Sequence, residues 1–447
     1  MRSNQPDIEK ELRRIQRRAF AYFEHEYNPA NGLVRDKTAP DWPASIAATG
    51  LALTCYPIAV ERGWMSEREA LARTLATLRF FRDSAQGEQP DATGCRGFYY
   101  HFLDMQDGRR AWHCEISTVD SAFLLGGMLA AAAYFTGDTP EQREVREVAQ
   151  FLYRRVEWPW AVSSTGTIGH GWRPETGFIE FRWEGFDEAL LLYTLALGSP
   201  THPVEPAAYE AWCSTYEWKR CYDIDYLYCG PLFTHQLSHV WIDFRQLQDA
   251  FLRGKGIDYF ENSRRATLVQ QRYAIDNPMR FKAYGANAWG ITASDGPGPE
   301  VRRIDGIERR FYDYEGRGAP FGVDDGTLAP WAVVASLPFA PDIVLPTIDN
   351  FVHTLALHEP HRYGFRATFN PTYDGIPDSP AGWVSEWHYG LNLGPIVLMI
   401  ENHLSGAVWR LMRSVAPLAD GLRRAGFTGG WLSADAPAAT SQPVAAR

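Results

Sequence analysis

Hydrophobic positions along the chain recur at helical spacing. In three segments the apolar residues fall on one stripe, which is the pattern of a helix that packs a single face against a core. Two of these segments open with helix-start signals, a capping box from Ser66 to Glu69 and a Thr139-Pro140 pair. The pattern predicts amphipathic helices over residues 8–23, 66–81 and 139–156.

Four other segments are apolar on nearly all sides, which is typical of helices that are buried all round. The longest apolar run, residues 122–135, has 14 residues and is too short to span a bilayer. Because these segments alternate with the amphipathic ones, the chain predicts an inner ring of helices wrapped by an outer ring. We therefore expect an all-α protein, an α/α barrel, with inner helices over residues 46–60, 119–135, 188–197 and 395–404.

The loops that precede the inner helices share a composition of glycine, aromatic residues and acids. If the inner helices run parallel, these loops meet at one end of the barrel and form one cleft. The loops concerned are residues 97–108, 177–188, 284–297 and 363–375. Residues 296–326 are rich in Gly, Arg and Asp and predict a long loop or small hairpin. We expect one domain over residues 1–432 and a disordered tail at 433–447.

The chain is acidic, with a net charge of -10 and no run of five basic residues, so nucleic acids and anionic membranes are poor partners. Its 16 Trp, 21 Tyr and 24 Phe suit a polysaccharide or oligosaccharide partner, since sugar C–H faces stack on flat rings. Residues 1–14 contain no hydrophobic signal stretch. We expect a cytoplasmic protein as the sequence stands, or a periplasmic one if a leader was removed.

Acidic residues cluster just before two of the apolar helices. The segment WEGFDEAL, residues 183–190, holds Glu184, Asp187 and Glu188, and HCEISTVDSA holds Glu115 and Asp120. Crowding and burial both raise the pKa of a carboxyl, as a general acid requires. Capping or interhelical hydrogen bonding explains Asp120 and Glu188 at helix starts. Glu184 and Glu115 lie among aromatic residues, Trp183 and Trp112, where capping explains less.

Other chemistries have weaker support in the sequence. His235 and His239 are four residues apart, but Gln236 replaces the glutamate of a zinc-protease motif and no third ligand is evident. Buried, hydrogen-bonded histidines are therefore favoured over a metal site. The six cysteines form no CxxC pair, and no GxGxxG, GxxxxGK[ST] or GxSxG motif occurs, so nucleotide-dependent and serine-hydrolase reactions lack support. Trp289, Thr292 and Asp295 instead offer the ring faces, hydroxyls and acids of an oligosaccharide site.

Eleven ordered segments resemble the glycoamylase-like family, which includes the endo-β-1,2-glucanases of glycoside hydrolase family 144 and their sister families. The resemblance covers about residues 20 to 412. The segments are GLVRDK, SIAATGLALT, VERGWMSEREA, GFYYHFLD, EISTVDSA, GFDEALLLYTLALGSPTHP, HQLSHVWIDFR, DYFENSRRAT, YGANAWGITASDGP, DDGTLAPWA and GPIVLMIEN.

The resemblance implies an (α/α)6 barrel, no metal or organic cofactor, and inverting hydrolysis of β-1,2-glucan to sophorooligosaccharides, with endo action expected. Alternatives are a β-1,2-glucan glycosyltransferase, an exo-acting sophorohydrolase, and a non-catalytic glucan-binding protein. By motif position, the catalytic acids carry over onto Glu184, as proton donor, and Glu115. Predicted substrate contacts are Asp36, Tyr100, His101, Trp183, Trp289 and Asp295, with Asp120, Asp187 and Glu188 as supporting acids.

One segment departs from the family pattern. Relatives often read G-F-x-D-A-F-N, whereas GFRATFN places Ala367 at the position of that aspartate. We predict Asp374, seven residues downstream, as a further supporting acid that supplies the missing carboxylate.

Overall fold

The computed structural model describes residues 5–358, 361–373 and 379–433. Its α-helices, in chain order, are α1 Gln5–His25, α2 Ile46–Glu61, α3 Glu67–Asp83, α4 Thr118–Tyr134, α5 Pro140–Arg154, α6 Leu190–Leu197, α7 Pro206–Cys213, α8 Ala250–Lys255, α9 Tyr259–Asp276, α10 Pro330–Ala335, α11 Pro341–Asp349, α12 Gly390–Leu404, α13 Ala407–Met412 and α14 Ala416–Arg424.

The apolar helices form a closed inner ring. In order around the ring, α2 packs on α4, α4 on α6, and α10 on α12, which returns to α2. Between α6 and α10 the ring is completed by the 3-10 turns Leu232–His235 and Leu237–Val240. The Ser238 hydroxyl accepts a hydrogen bond from the Leu191 amide of α6, and the Gln236 side chain donates one to the Ala332 carbonyl of α10. The alternation of apolar and amphipathic segments therefore predicted the inner ring correctly, although its fourth member is not an α-helix.

The amphipathic helices wrap this ring from outside. Helix α1 packs on α12, α3 on α2 and α5, α5 on α4, and α11 on α10. Ser66 and Thr139 cap α3 and α5 through the amides of Glu69 and Gln142, as the sequence predicted. Six inner elements thus alternate with outer helices over the described ranges. The protein is an (α/α)6 barrel.

Short antiparallel strands lie in the loops at the ends of the barrel, most of them at the end where the inner helices begin. The strands are β1 Ala44–Ser45, β2 Gly94–Cys95, β3 Phe98–Tyr100, β4 Phe102–Leu103, β5 Ile116–Ser117, β6 Gly171–Arg173, β7 Gly177–Phe178, β8 Trp218–Cys221, β9 Ile224–Leu227, β10 Leu247–Gln248, β11 Ala293–Ser294, β12 Glu300–Ile304, β13 Ile307–Phe311, β14 Glu315–Gly316, β15 Phe369–Asn370, β16 Trp383–Val384 and β17 Thr428–Gly429.

Most of these strands pair as isolated ribbons, and one group forms a five-stranded sheet in the order β2-β3-β5-β6-β7. Strands β12 and β13 form the hairpin predicted within residues 296–326. Residues 296–326 are called the excursion below. A fully buried ion pair within it, Arg317 with Asp325 at 2.8 Å, fixes the part of the excursion that leads into α10. The predicted tail and Asp374 lie outside the described residues, apart from Ser433. Within the described ranges, no helix combines the length and apolarity that crossing a bilayer requires.

Candidate active site

The starts of several inner helices meet at one end of the ring. Ser45 and Ser117 cap α2 and α4, each through the amide three residues on. The amide that begins α2, from Ile46, donates to the His101 carbonyl at 3.3 Å, and the Gly390 amide at the start of α12 donates to the Asp36 carbonyl at 2.8 Å. Loops from distant parts of the sequence are therefore held side by side, as the loop composition predicted.

His101 is the centre of this loop cluster. Its Nδ1 lies 3.1 Å from Glu115 Oε1, and its Nε2 lies 3.5 Å from Asp120 Oδ2. Burial opposes charge on the imidazole, but the carboxylates of Asp120, Glu115 and Asp36 outweigh it and raise the pKa of His101 to about 9. His101 is therefore a cation at neutral pH, and it joins the loops that precede α2 and α4.

Glu115 and Asp36 respond to this cation in different ways. Burial alone would raise the pKa of Glu115. Hydrogen bonds from His101 and Arg173 outweigh this effect, so the pKa of Glu115 falls to about 2. Burial raises the pKa of Asp36 to about 6, although the Trp42 indole donates to its carboxylate at 3.0 Å. Both acids are ionised at neutral pH, and Asp36 retains the greater basicity.

Two adjacent acids just before α6, Asp187 and Glu188, both have raised pKa values: burial raises each of them, and the charge of Glu188 adds to the rise at Asp187. Burial raises the pKa of Glu188 to about 8, and the negative field of Asp120 adds to the effect. In the described part of the chain, no cation or side-chain donor contacts its carboxyl group. Its neighbour Asp187 serves the helix start: it accepts the Ala189 amide at 3.0 Å and the Trp212 indole at 3.3 Å. Glu188 is thus protonated at neutral pH beside ionised carboxylates.

Glu184 has a different environment from the one that the sequence predicted. Its side chain keeps 42% of its surface exposed and pairs with Arg182 at 3.0 Å. The Trp183 ring turns into the core, where it stacks on His170 at 3.7 Å and donates to Thr118 Oγ1. The expectation that Trp183 strips water from Glu184 is therefore wrong, because adjacent residues in this extended segment point in different directions.

Three other predicted substrate contacts, Tyr100, Trp289 and Asp295, are buried. Tyr100 and Trp289 are fully buried; the Tyr100 ring lies under the Arg110 guanidinium, and the Trp289 indole donates to Thr347 of α11. Their burial contradicts a direct contact with substrate. Asp295 is held in the loop cluster by the Ser385 hydroxyl at 2.6 Å, and burial raises its pKa. The Ala367 side chain is buried as well.

Two further residues belong to the cluster and were not predicted from the sequence. Lys37 Nζ lies 3.9 Å from the centre of the Trp42 ring and donates to the Tyr389 hydroxyl at 3.1 Å. Tyr314, on the excursion before β14, is 58% exposed. Its phenol lies close enough to Asp36, Asp120, Glu188 and Asp295 for their negative charges to act on it. Lys37 adjoins the predicted Asp36 in GLVRDK, but no sequence spacing signalled that the excursion bends back over the acids.

The two spaced histidines serve the core. His235 Nε2 lies 3.3 Å from the Cys229 carbonyl, and His239 Nε2 lies 2.9 Å from Ser263 Oγ. Burial lowers the pKa of His235 to about 4 and that of His239 to about 3, so both are neutral. No set of three or more His, Cys, Asp or Glu side chains in the described residues is arranged to hold a metal ion.

A groove of about 610 Å³ lies on the outer ring between α1 and α11, away from the acids. Its lining mixes aliphatic side chains such as Ile8 and Leu345 with scattered acids such as Asp7 and Asp342. It offers no hydrogen-bonded cluster of titratable groups. The acid cluster before α2, α4 and α6 is therefore the candidate active site, on its chemistry rather than on cavity size.

A family model described as "Putative glucoamylase" (Glycoamylase) matches residues 180–416, which is more than half of the chain. This chain belongs to that family. A curated relative, the exo beta-1,2-glucooligosaccharide sophorohydrolase (non-reducing end) of Parabacteroides distasonis, is 26% identical over 93% of this chain. The chain spans 58% of that relative's length.

Solved structures of related proteins share the fold. A "putative glucoamylase" from Bacteroides uniformis superposes with a TM-score of 0.83 and 28% identity, covering 97% of this chain and 100% of the other. An endo-beta-1,2-glucanase from Chitinophaga pinensis, solved with sophorotriose and glucose, gives a TM-score of 0.82 at 22% identity, over 95% of this chain and 99% of the other. The second likeness supports the double ring of helices.

Proposed function

We propose that this glycoamylase-family chain is a glycoside hydrolase that cleaves β-1,2-glucosidic bonds of β-1,2-glucan. Two findings support the substrate: the name of the Parabacteroides relative, which matches 93% of this chain, and the many aromatic residues. The proposal of hydrolysis rests on one observation: the pKa of the Glu188 carboxyl is raised to about 8, and ionised acids lie beside it at the end of the barrel. Glycosidases require such a pairing of a protonated and an ionised carboxyl.

In the proposed reaction, Glu188 donates its proton to the glycosidic oxygen as the bond to C1 breaks. Asp36 is the proposed base, because its pKa of about 6 makes it ionised and still basic near neutral pH. It takes a proton from the water that attacks C1, and the product anomer is inverted. Glu115 and the His101 cation hold the loops in place, and their negative and positive charges largely offset each other.

Two modes of cleavage have separate support. The sequence resemblance favours endo cleavage within the chain, and we propose this mode first. Exo release of sophorose is the second candidate, because the relative that matches 93% of this chain carries that activity in its name.

The test is to incubate the protein with linear β-1,2-glucan and separate the products by chromatography. A ladder of short sophorooligosaccharides supports endo action, sophorose alone supports exo action, and lengthened products identify a transferase. NMR of the first product formed reports the anomer and so tests inversion. Binding without turnover would overturn the enzymatic proposal and favour a glucan-binding protein.

A further inference from the structure

A row of aromatic rings runs from His101 out to the protein surface at Trp112 and back to Asp36. The Phe102 ring stacks on His101 with centroids 4.0 Å apart, Trp112 lies 5.2 Å from Phe102, and Trp42 lies 4.7 Å from Trp112. The Trp42 indole also donates to the Asp36 carboxylate at 3.0 Å. This aromatic row, Phe102, Trp112 and Trp42, therefore touches the acid cluster at both of its ends.

Trp112 is the exposed member of the aromatic row. It keeps 55% of its surface accessible, although indole is the side chain with the most apolar area to bury. Its backbone is also in an unfavourable conformation: Trp112 and His113 both have a φ of 53°, in the left-handed region that residues with a Cβ avoid. An exposed indole held at a strained position suggests a binding role, since strain of this kind concentrates at ligand sites.

A buried guanidinium holds this strained loop in place. Arg110, whose side chain is 1% exposed, donates to the carbonyls of His113 at 2.8 Å and Cys114 at 2.5 Å. The same guanidinium makes a bidentate pair with Glu175, at 2.6 and 3.1 Å, and lies over the Tyr100 ring. Bidentate pairing fixes the plane of the guanidinium. The loop is thus preorganised, and Trp112 does not have to be ordered when a ligand binds.

We propose that Trp112, supported by Trp42, forms a sugar-binding subsite that stacks on a glucosyl unit of the β-1,2-glucan chain beyond the bond being cleaved. The C–H face of the sugar would cover the exposed indole, while the Asp36 end of the row keeps the subsite continuous with the acid cluster. Arg110 and Glu175 are positioning residues for this subsite. The inference rests on the proposed function, because it takes the ligand to be the same polysaccharide.

The experiment measures binding of β-1,2-glucooligosaccharides of increasing length by calorimetry, in a Glu188→Gln background that prevents turnover. Trp112→Ala is expected to weaken binding of the longer oligosaccharides by roughly tenfold, the loss of one stacking contact, and to change binding of the shortest ones little. Trp112→Phe keeps a ring and should recover part of the affinity. Phe151→Ala removes an aromatic side chain that is 50% exposed on α5 of the outer ring, and it should bind like the parent.

Turnover gives a second readout in the chain with Glu188 intact. Trp112→Ala should raise KM for long substrates roughly tenfold while kcat at saturation stays within about twofold of the parent. Glu175→Gln should shift KM in the same direction by a smaller factor, since it loosens the clamp and leaves the ring. If the parent cleaves glucan and Trp112→Ala has unchanged KM and affinity at every length, the subsite is wrong. If the parent neither binds nor cleaves glucan, the proposed function fails, and the subsite fails with it.

Discussion

Glu188 and Glu401 lie at opposite ends of the inner ring, and their pKa values are shifted in opposite directions. Glu188 precedes α6 at the cleft end, and burial with the nearby Asp120 raises its pKa to about 8. Glu401 lies in the last turn of α12, fully buried. Hydrogen bonds from Arg62, Ser405 and Gln16 outweigh its burial and lower its pKa to about 2. The same side chain is a neutral acid at one end and an anion at the other.

The comparison separates a structural carboxylate from the proposed proton donor. Glu401 ties three helices together, because Arg13 and Gln16 come from α1 and Arg62 follows α2. Its buried charge is compensated on every side, which is the usual requirement for a buried anion. Glu188 contacts no compensating cation among the described residues, and burial raises its pKa. This difference in compensation is the reason for proposing Glu188, and not Glu401, as the proton donor.

The largest expected effect is on turnover. Glu188→Gln should lower kcat on β-1,2-glucan by about two to four orders of magnitude, the range for a general acid, because glutamine cannot donate the proton. Kinetics and a melting curve on the same preparation check this result. The matched control is Glu184→Gln, four residues away, which should stay within about threefold of the parent. Equal losses in both variants would contradict the assignment of proton donation to Glu188.

A smaller effect is expected on stability at the other end of the ring. Glu401→Gln leaves Arg13 and Arg62 without their anion and should destabilise the fold by about 1.5–3 kcal/mol, as for other charged hydrogen bonds. The estimate is below that for a fully buried pair, since both arginines remain about a quarter exposed. Denaturant unfolding measures the change. Turnover per folded molecule should be unaffected, and a large drop in kcat would break the distinction between the two ends.

The smallest expected effect is a difference in how stability depends on pH. The folded pKa of Glu188 lies above its usual value of 4.5, so its contribution is present below about pH 4.5 and is lost as pH rises through about 8. The folded pKa of Glu401 lies below 4.5, so its contribution is present above that pH and is lost as pH falls towards 2.

Melting curves between pH 5 and 9 test the high-pH limb. Glu188→Gln should become more stable than the parent as pH rises, by on the order of 1–2 kcal/mol at pH 8 to 9, because the variant has no proton to lose. The Glu401→Gln variant should show no such gain in this range. A parent and a Glu188→Gln variant with parallel stability profiles would show that Glu188 is not protonated in the folded protein.

The helices were predictable because they depend on local patterning. The segments 46–60 and 139–156 became α2 and α5 to within two residues at each end. The prediction of 395–404 began five residues late, because α12 begins at Gly390. Pro395 is the sixth residue of α12 and lies inside the helix, so the hydrogen bond that an amide there would donate to the Leu391 carbonyl is lost.

The acid cluster was predicted in part. His101, Glu115 and Asp120 were named from their motifs, and the structure brings both acids within hydrogen-bonding or ion-pairing distance of His101. Proton donation was predicted for Glu184 from its motif position and from its neighbour Trp183; we propose Glu188 for that role instead, because burial raises its pKa to about 8. Sequence adjacency does not fix side-chain direction in an extended segment, so the environment of each acid could not be derived from its neighbours.

The sequence by itself determined the double ring of helices, the capping residues and the end of the barrel at which acids and aromatic residues collect. These features follow from hydrophobic periodicity and short-range hydrogen bonding, which act over a few residues. Only the tertiary structure decided which carboxyl keeps its proton and where the exposed indole of Trp112 lies. A pKa depends on burial and on charges brought from distant segments, and Asp36, Asp120 and Glu188 meet only when the ring closes.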